Sequence, residues 1–190
     1  MPTKTKITKE MILDTAFTIV KEHGLEGLTN KEISQRLKCS IQPIYYQFKN
    51  TDDLKNELIF KIEKYFYTFI MNHHNTDIPI YKQIGINYIK FAKQESKLFQ
   101  ILFMTESSLS LTEFITQDDD DFKELAKYIH LSTNLNDEDL KEFHVKMWIF
   151  THGLATLVAN NTCNFTDNQI SQLLTYGFQA FMALEDNKNK

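Results

Sequence analysis

Apolar residues recur at intervals of three and four along nearly the whole chain, and only 5 Gly and 3 Pro interrupt them. Strands would need alternation with a period of two and frequent turn residues, so this pattern predicts an all-α fold. The 190 residues, 42% of them apolar, can bury a substantial core, either as one large domain or as a small domain joined to a larger one.

The helices can be placed from their stripes and punctuation. Ile12, Leu13, Ala16, Phe17 and Val20 form one stripe, Ile7 and Ile12 flank Thr8 as a staple, and Gly24 stands where a helix ends. This predicts a first helix from Lys9 to His23. In "LTNKEISQRL", Thr29 and Glu32 make a T-x-x-E capping box that starts a second helix ending near Leu37. Ser40 is a candidate N-cap for a third helix over "IQPIYYQF", with Pro43 in its first turn, where a missing N–H costs no intrahelical bond. Asn50 or Thr51 then caps a long fourth helix reaching about Asn72, with Asp52 and Asp53 favourable at its positive end. Later helices are expected at Ile80 to Lys93, Lys97 to Met104, Asp120 to Leu131, Asp137 to Asn161 and Asp167 to Glu185. "TESSLSLTEFITQ" is the least regular segment.

Several classes are disfavoured. The run from Trp148 to Ala159 is broken by Thr151, His152 and Gly153 and falls short of the roughly 18 apolar residues of a spanning helix. "MPTKTKITKE" has no apolar stretch behind its charges, so no secretion signal is expected and the location is expected to be cytoplasmic. Cys39 and Cys163 show no metal-ligand spacing and read as buried free thiols. Two N-x-T triplets at Asn160 and Asn164 are read as chance. Asp118 to Asp121 fit the start of a helix better than a metal site, His73 and His74 read as solvated, and His144 and His152 are eight apart, too far for an i, i+4 metal pair. With no catalytic motif, no enzyme activity, metal or cofactor is expected.

Charge is unevenly spread. Residues 1–50 hold 8 Lys+Arg against 5 Asp+Glu, while the chain as a whole has a net charge of -4. The basic front points to a module that binds a polyanion on an acidic body. The third helix points the same way: Ile44 and Phe48 lie on one side, and Gln42, Tyr45, Tyr46 and Lys49 spread over the other. A short helix pair of this kind fits a DNA major groove, with Gln42 able to pair with adenine and Thr29, Tyr45, Tyr46 and Lys49 able to reach phosphates. Helix starts at Thr29, Ser40 and Thr51 would add outward N–H groups. The plainer reading is that each tyrosine covers core and Lys49 is a solvated charge.

The segment "LTNKEISQRLKCSIQPIYYQFKNTDDL" resembles the N-terminal helix-turn-helix of the tetracycline-repressor-like (TetR/AcrR) family of bacterial transcriptional regulators, over roughly the first 55 residues. The resemblance implies a three-helix DNA-binding domain at residues 1–51 and a helical ligand-binding and dimerisation domain at residues 52–190. It implies core roles for Ile33, Ile44 and Phe48, base-edge positions for Ile41, Gln42 and Pro43, and backbone contacts from Thr29, Tyr45, Tyr46 and Lys49. Lys38 and Ser40 in the turn and Thr51 at the following helix start complete the candidate DNA-binding set. Ser34 stands where the family usually has Ala, Lys38 where the turn often has Gly, and Thr51 where a phosphate-binding Lys is common.

"YIKFAKQESKLFQILF" and "WIFTHGLATLVANNT" continue the resemblance more weakly. The family architecture implies double-stranded operator DNA as partner, a homodimer through the last two helices, and a cavity surrounded by the fourth to eighth helices for an unknown small molecule. Ile170, Leu173, Leu174, Phe178, Phe181 and Leu184 make a stripe suited to a partner or to the chain's own core, and Gly153 and Gly177 permit close approach. Phe66, Phe69, Ile70, Tyr88, Phe91, Phe103, Trp148 and His152 are the candidate ligand-binding residues, each with ordinary core as its plainer reading. The function implied is a homodimeric repressor released by an apolar or cationic ligand. The alternative is a ligand-independent DNA-binding or scaffolding protein whose C-terminal body docks a protein.

Overall fold

A computed structural model of the chain describes residues 7–72, 77–105 and 120–188, without the side chains of 120 and 121. His73, His74, Asp118, Asp119 and most of the irregular "TESSLSLTEFITQ" segment lie outside the described residues. Among the described residues the regular structure is helical: α1 Lys9–His23, a 3₁₀ turn Leu25–Gly27, α2 Asn30–Arg36, α3 Gln42–Gln47, α4 Thr51–Ile70, α5 Ile80–Gln94, α6 Ser96–Phe103, α7 Asp120–His130, α8 Asp137–Ala159 and α9 Asp167–Lys188. The protein is all-α, as the periodicity predicts. No described helix is long and apolar enough to cross a membrane.

Side-chain caps set most helix starts. Thr8 Oγ1 accepts from Met11 N at 3.2 Å, Thr29 Oγ1 from Glu32 N at 3.0 Å, and Asn50 Oδ1 from Asp53 N at 2.8 Å. The Glu32 carboxylate turns to Arg36, which also pairs with Glu22. Ser40 does not cap α3: the N-cap is Ile41, itself in right-handed helical conformation and without a side-chain cap bond, so Pro43 is the second helical residue. Two helix ends close by the same device. After α2, Lys38 takes φ 51° while Lys38 N donates to Gln35 O and Cys39 N to Ser34 O. After α8, Asn161 takes φ 54° while Asn161 N donates to Val158 O and Thr162 N to Leu157 O. These paired bonds satisfy carbonyls that the ends of the helices leave open.

The chain divides into two compact units. The first holds the residues up to Phe66 together with α6 from Lys97 on. Its core is Ile12, Ala16, Ile19, Val20, Ile33, Ile44, Phe48, Leu54, Leu58 and Ile62, all nearly or fully buried. Ser34 is buried beside them, and its hydroxyl donates to Lys31 O at 2.9 Å, so a polar group stands where Ala is usual without going unsatisfied. In the same unit Phe66 and Phe103 pack edge to face at 5.3 Å, and Phe103 packs on Phe99 at 5.0 Å.

The second unit holds residues 67–96 and the chain from α7 onward. Within it α5 packs on α8 and α9, and α7 packs on α5 and α8. Ile129, Leu140 and Phe143 are buried at its centre. Phe178 and Phe181, on the stripe suited to a partner or a core, pack inward: Phe178 meets Phe143 at 5.3 Å and Phe181 meets Phe150 at 6.2 Å. Ile170 and Leu174 are buried, whereas Leu184 is exposed.

Candidate nucleic-acid interface and cavity

In the first unit α3 buries Ile44 and Phe48, at 2% and 3% exposure, and turns its other side outward. Ile41 is 45% exposed, Tyr45 60% and Tyr46 83%, and Gln42, Lys49, Thr51, Thr29, Lys38 and Ser40 are also exposed. Pro43 is half-buried. Two largely exposed aromatic rings side by side on a short helix, next to the exposed Ile41, form the kind of patch that marks an interaction surface. Lys49 N donates to Asp53 Oδ2 at 3.0 Å, which ties the end of α3 to the start of α4. Cys39 and Cys163 are free and half-buried rather than fully buried.

The second unit holds a half-open cavity of about 550 Å³ between α5, α7, α8 and α9, with the end of α4 contributing Ile70. Tyr81, Lys82, Gly85 and Tyr88 come from α5, His144, Met147, Trp148 and Thr151 from α8, and Leu174, Thr175, Phe178 and Gln179 from α9. Of the residues proposed from sequence, Ile70, Tyr88 and Trp148 line it; Phe66, Phe69, Phe91, Phe103 and His152 do not. Phe69 and Phe91 pack on each other at 5.3 Å, and Phe91 is fully buried. No residue of α6 lines the cavity.

Two tyrosine–histidine pairs join α5 to α8. Tyr81 Oη is 3.1 Å from His144 Nδ1, and Tyr88 Oη is 2.9 Å from His152 Nδ1. A step of seven along α5 matches a step of eight along α8, so the pairs advance in the same direction on both helices. Burial lowers the His144 pKa to about 4, lowers that of His152, and raises both phenols above their usual range. Both pairs are therefore neutral near pH 7. His152 also stacks on Trp148, with ring centres 4.7 Å apart and planes 12° from parallel.

At the end of α4, Asn87 Nδ2 donates to Ile70 O at 3.1 Å and to Asn72 O at 2.8 Å. Elsewhere on α8 and α9 the carboxylates of Asp139, Glu142 and Glu185 approach within 4.8 Å of one another. Lys146 and Lys188 occupy that cluster, at 2.9 Å from Glu142 and 3.0 Å from Glu185, and hold the Glu142 carboxyl down to about 2.

The family model "Bacterial regulatory proteins, tetR family" matches residues 12–58, the stretch that contains α2, α3 and their caps. Residues 12–58 carry a domain of the TetR family. Two curated relatives match part of the chain: the IcaR negative transcriptional regulator of the biofilm operon in Staphylococcus epidermidis, 26% identical over 72 residues, and the class D tetracycline repressor of Escherichia coli, 26% identical over 74. The match covers 38% and 39% of this chain, and only 39% and 31% of those two proteins. Solved structures share the fold over nearly the whole chain. A TetR-family regulator from Vibrio parahaemolyticus covers 90% of this chain and 96% of its own, at TM-score 0.59 and 15% identity. A transcriptional regulator from Rhodococcus sp. Rha1 covers 93% and 97%, at TM-score 0.62 and 12% identity.

The TetR-family helix-turn-helix was legible because its caps and buried positions lie close together in sequence. The cavity was not. Its Tyr81 and His144 are 63 residues apart, and the only local signal is the matched spacing of Tyr81 with Tyr88 and of His144 with His152.

Proposed function

We propose that the protein is a repressor-type DNA-binding regulator that works as a homodimer and leaves its operator when a small molecule fills the cavity of the second unit. The observation that carries the DNA-binding part is the exposed side of α3, where Ile41, Gln42, Tyr45 and Tyr46 stand out from a buried Ile44 and Phe48. Gln42 faces base edges and Tyr46 and Lys49 face phosphates in this reading.

Dimerisation is supported by a face of α8 and α9 that the described residues leave uncovered. Ile149, Gly153 and Leu157 on α8, and Tyr176, Ala180 and Leu184 on α9, are exposed at intervals of four. A Cβ added to Gly153 would meet nothing within 4 Å, so nothing among the described residues requires glycine there. An opposing helix would. Paired recognition helices would then reach two half-sites about one DNA turn apart.

Control by a ligand is supported by the cavity and by α4, a continuous helix of 20 residues and about 30 Å whose first residue is the candidate phosphate contact Thr51 and whose last, Ile70, lines the cavity. Asn87, on the cavity helix α5, holds the carbonyl of that last residue. Ligand can release DNA only by binding the released conformation more tightly, and operator must weaken ligand binding by the same factor.

The test is operator binding across a salt series. Lys49→Ala should weaken binding to every sequence and lower the salt slope by about one, whereas Gln42→Ala should cost roughly 1–3 kcal/mol on the operator alone. Parent-like operator binding by both variants would refute the role given to α3.

A further inference from the structure

We propose that the cavity of the second unit takes an amphiphile with an apolar body and a single carboxylate head, the head seated at Lys82 and Gln179. This rests on reading the cavity as a ligand site and goes beyond it by assigning the charge of the ligand. The described lining contains one ammonium, that of Lys82, and no Asp or Glu. Lys82 Nζ donates to Thr175 Oγ1 at 2.8 Å and faces no carboxylate among the described residues. Thr175 and Gln179 are one turn apart on α9 and line the same cavity as Lys82; Thr175 Oγ1 donates to Ser171 O at 3.0 Å, so the ammonium and the Gln179 amide are the donors left for a head group.

An ammonium bordering an apolar cavity loses hydration, and a neutral hydroxyl offsets that only in part. A carboxylate would meet it with a charge-assisted bond, which is about twice as strong as a neutral one. A cation would find no counter-charge on the described walls, and His144, the histidine of the described lining, supplies no second positive charge because burial keeps it neutral near pH 7. The rest of the lining is apolar or aromatic, including Met147, Trp148, Leu174 and Phe178. The volume of about 550 Å³ suits a body of the usual size for a small-molecule site.

Trp148 borders the cavity and is the single tryptophan of the chain, so its fluorescence reports binding without added label. The full chain is titrated with decanoate, decan-1-ol and decylammonium, which share a tail and differ in head charge. Decanoate should bind at least about tenfold more tightly than either of the others. Lys82→Gln should bring decanoate within about threefold of decanol while leaving decanol as in the parent, and Lys82→Arg should keep the preference. Equal binding of the three, preference for the ammonium, or a carboxylate preference intact in Lys82→Gln would overturn the assignment. So would failure of decanoate and of both shorter and longer alkanoates to bind. Should Lys82→Gln not fold, the order of the three heads on the parent decides. Operator binding is measured separately: decanoate that binds without weakening operator affinity counts against ligand release but leaves the assigned head group standing, and release by a cavity ligand lacking a carboxylate does the reverse.

Discussion

Lys38 shows how a single backbone position can set sequence against geometry. It occupies the left-handed region at φ 51°, closing α2 with the paired bonds of Lys38 N and Cys39 N. A side chain there costs roughly 1–2 kcal/mol, of which a glycine returns up to about 1 through the freer unfolded chain. Lys38→Gly should therefore leave stability unchanged or raise it by up to about 1 kcal/mol in urea unfolding; a loss larger than that would mean the lysine makes contacts that stabilise the turn. His144 acts through pH. Its folded pKa, about 4, lies below the ordinary 6.5 because burial disfavours the charged form, so the unfolded chain binds the proton more tightly. The stability is fully present above pH 6.5 and is lost as pH falls toward 4, by up to about 1.4 kcal/mol per unit. His144→Gln should flatten that part of the profile relative to the parent, and identical slopes would contradict it.

The two glycines at the end of the chain have opposite roles on their helices. A Cβ on Gly177 would come within 2.8 Å of the Phe150 ring, so α9 meets α8 there only because the side chain is absent. Gly177→Ala should cost about 1–3 kcal/mol of stability. Gly153 has open space instead, and Gly153→Ala should add roughly 0.5–1 kcal/mol to the folded protomer through helix propensity, while weakening any helix pairing across that face. Thermal unfolding of the two variants at low protein concentration separates them; a stabilising Gly177→Ala would contradict the close approach. The same helices explain a feature that composition left as chance. In "NNT", Asn161 closes α8 in the left-handed conformation, which asparagine tolerates better than most residues.

For the assembled protein, the exposed face of α8 and α9 carries the prediction. Leu157→Glu with Leu184→Glu places charge on that face while leaving the buried Ile170, Leu174 and Phe143 untouched. Burying unpaired carboxylates is strongly unfavourable, so sedimentation should show folded monomers where the parent is a dimer. Operator affinity should fall with them, because one protomer reaches one half-site. A parent that sediments as a monomer at micromolar concentration and still binds operator tightly would remove the dimer from the proposal.

Helix existence was legible in the sequence because it depends on residues three and four apart and on caps within one turn: Thr8, Thr29, Asn50 and the stripe through Ile12 and Ala16 act locally. The outward side of α3 was legible for the same reason, since Ile44 and Phe48 determine which side remains. Only the tertiary structure decided where the aromatic residues went. Phe66 and Phe103 meet in one compact unit and Tyr81 and His144 in the other, although both pairs fit the helical period equally well. A periodic stripe states that a face is buried but not against what. Which helix covers α5, and which lysine then borders a cavity, follows from contacts between residues far apart in the chain, as with Lys82 and Thr175, whose separation of 93 residues leaves no local trace.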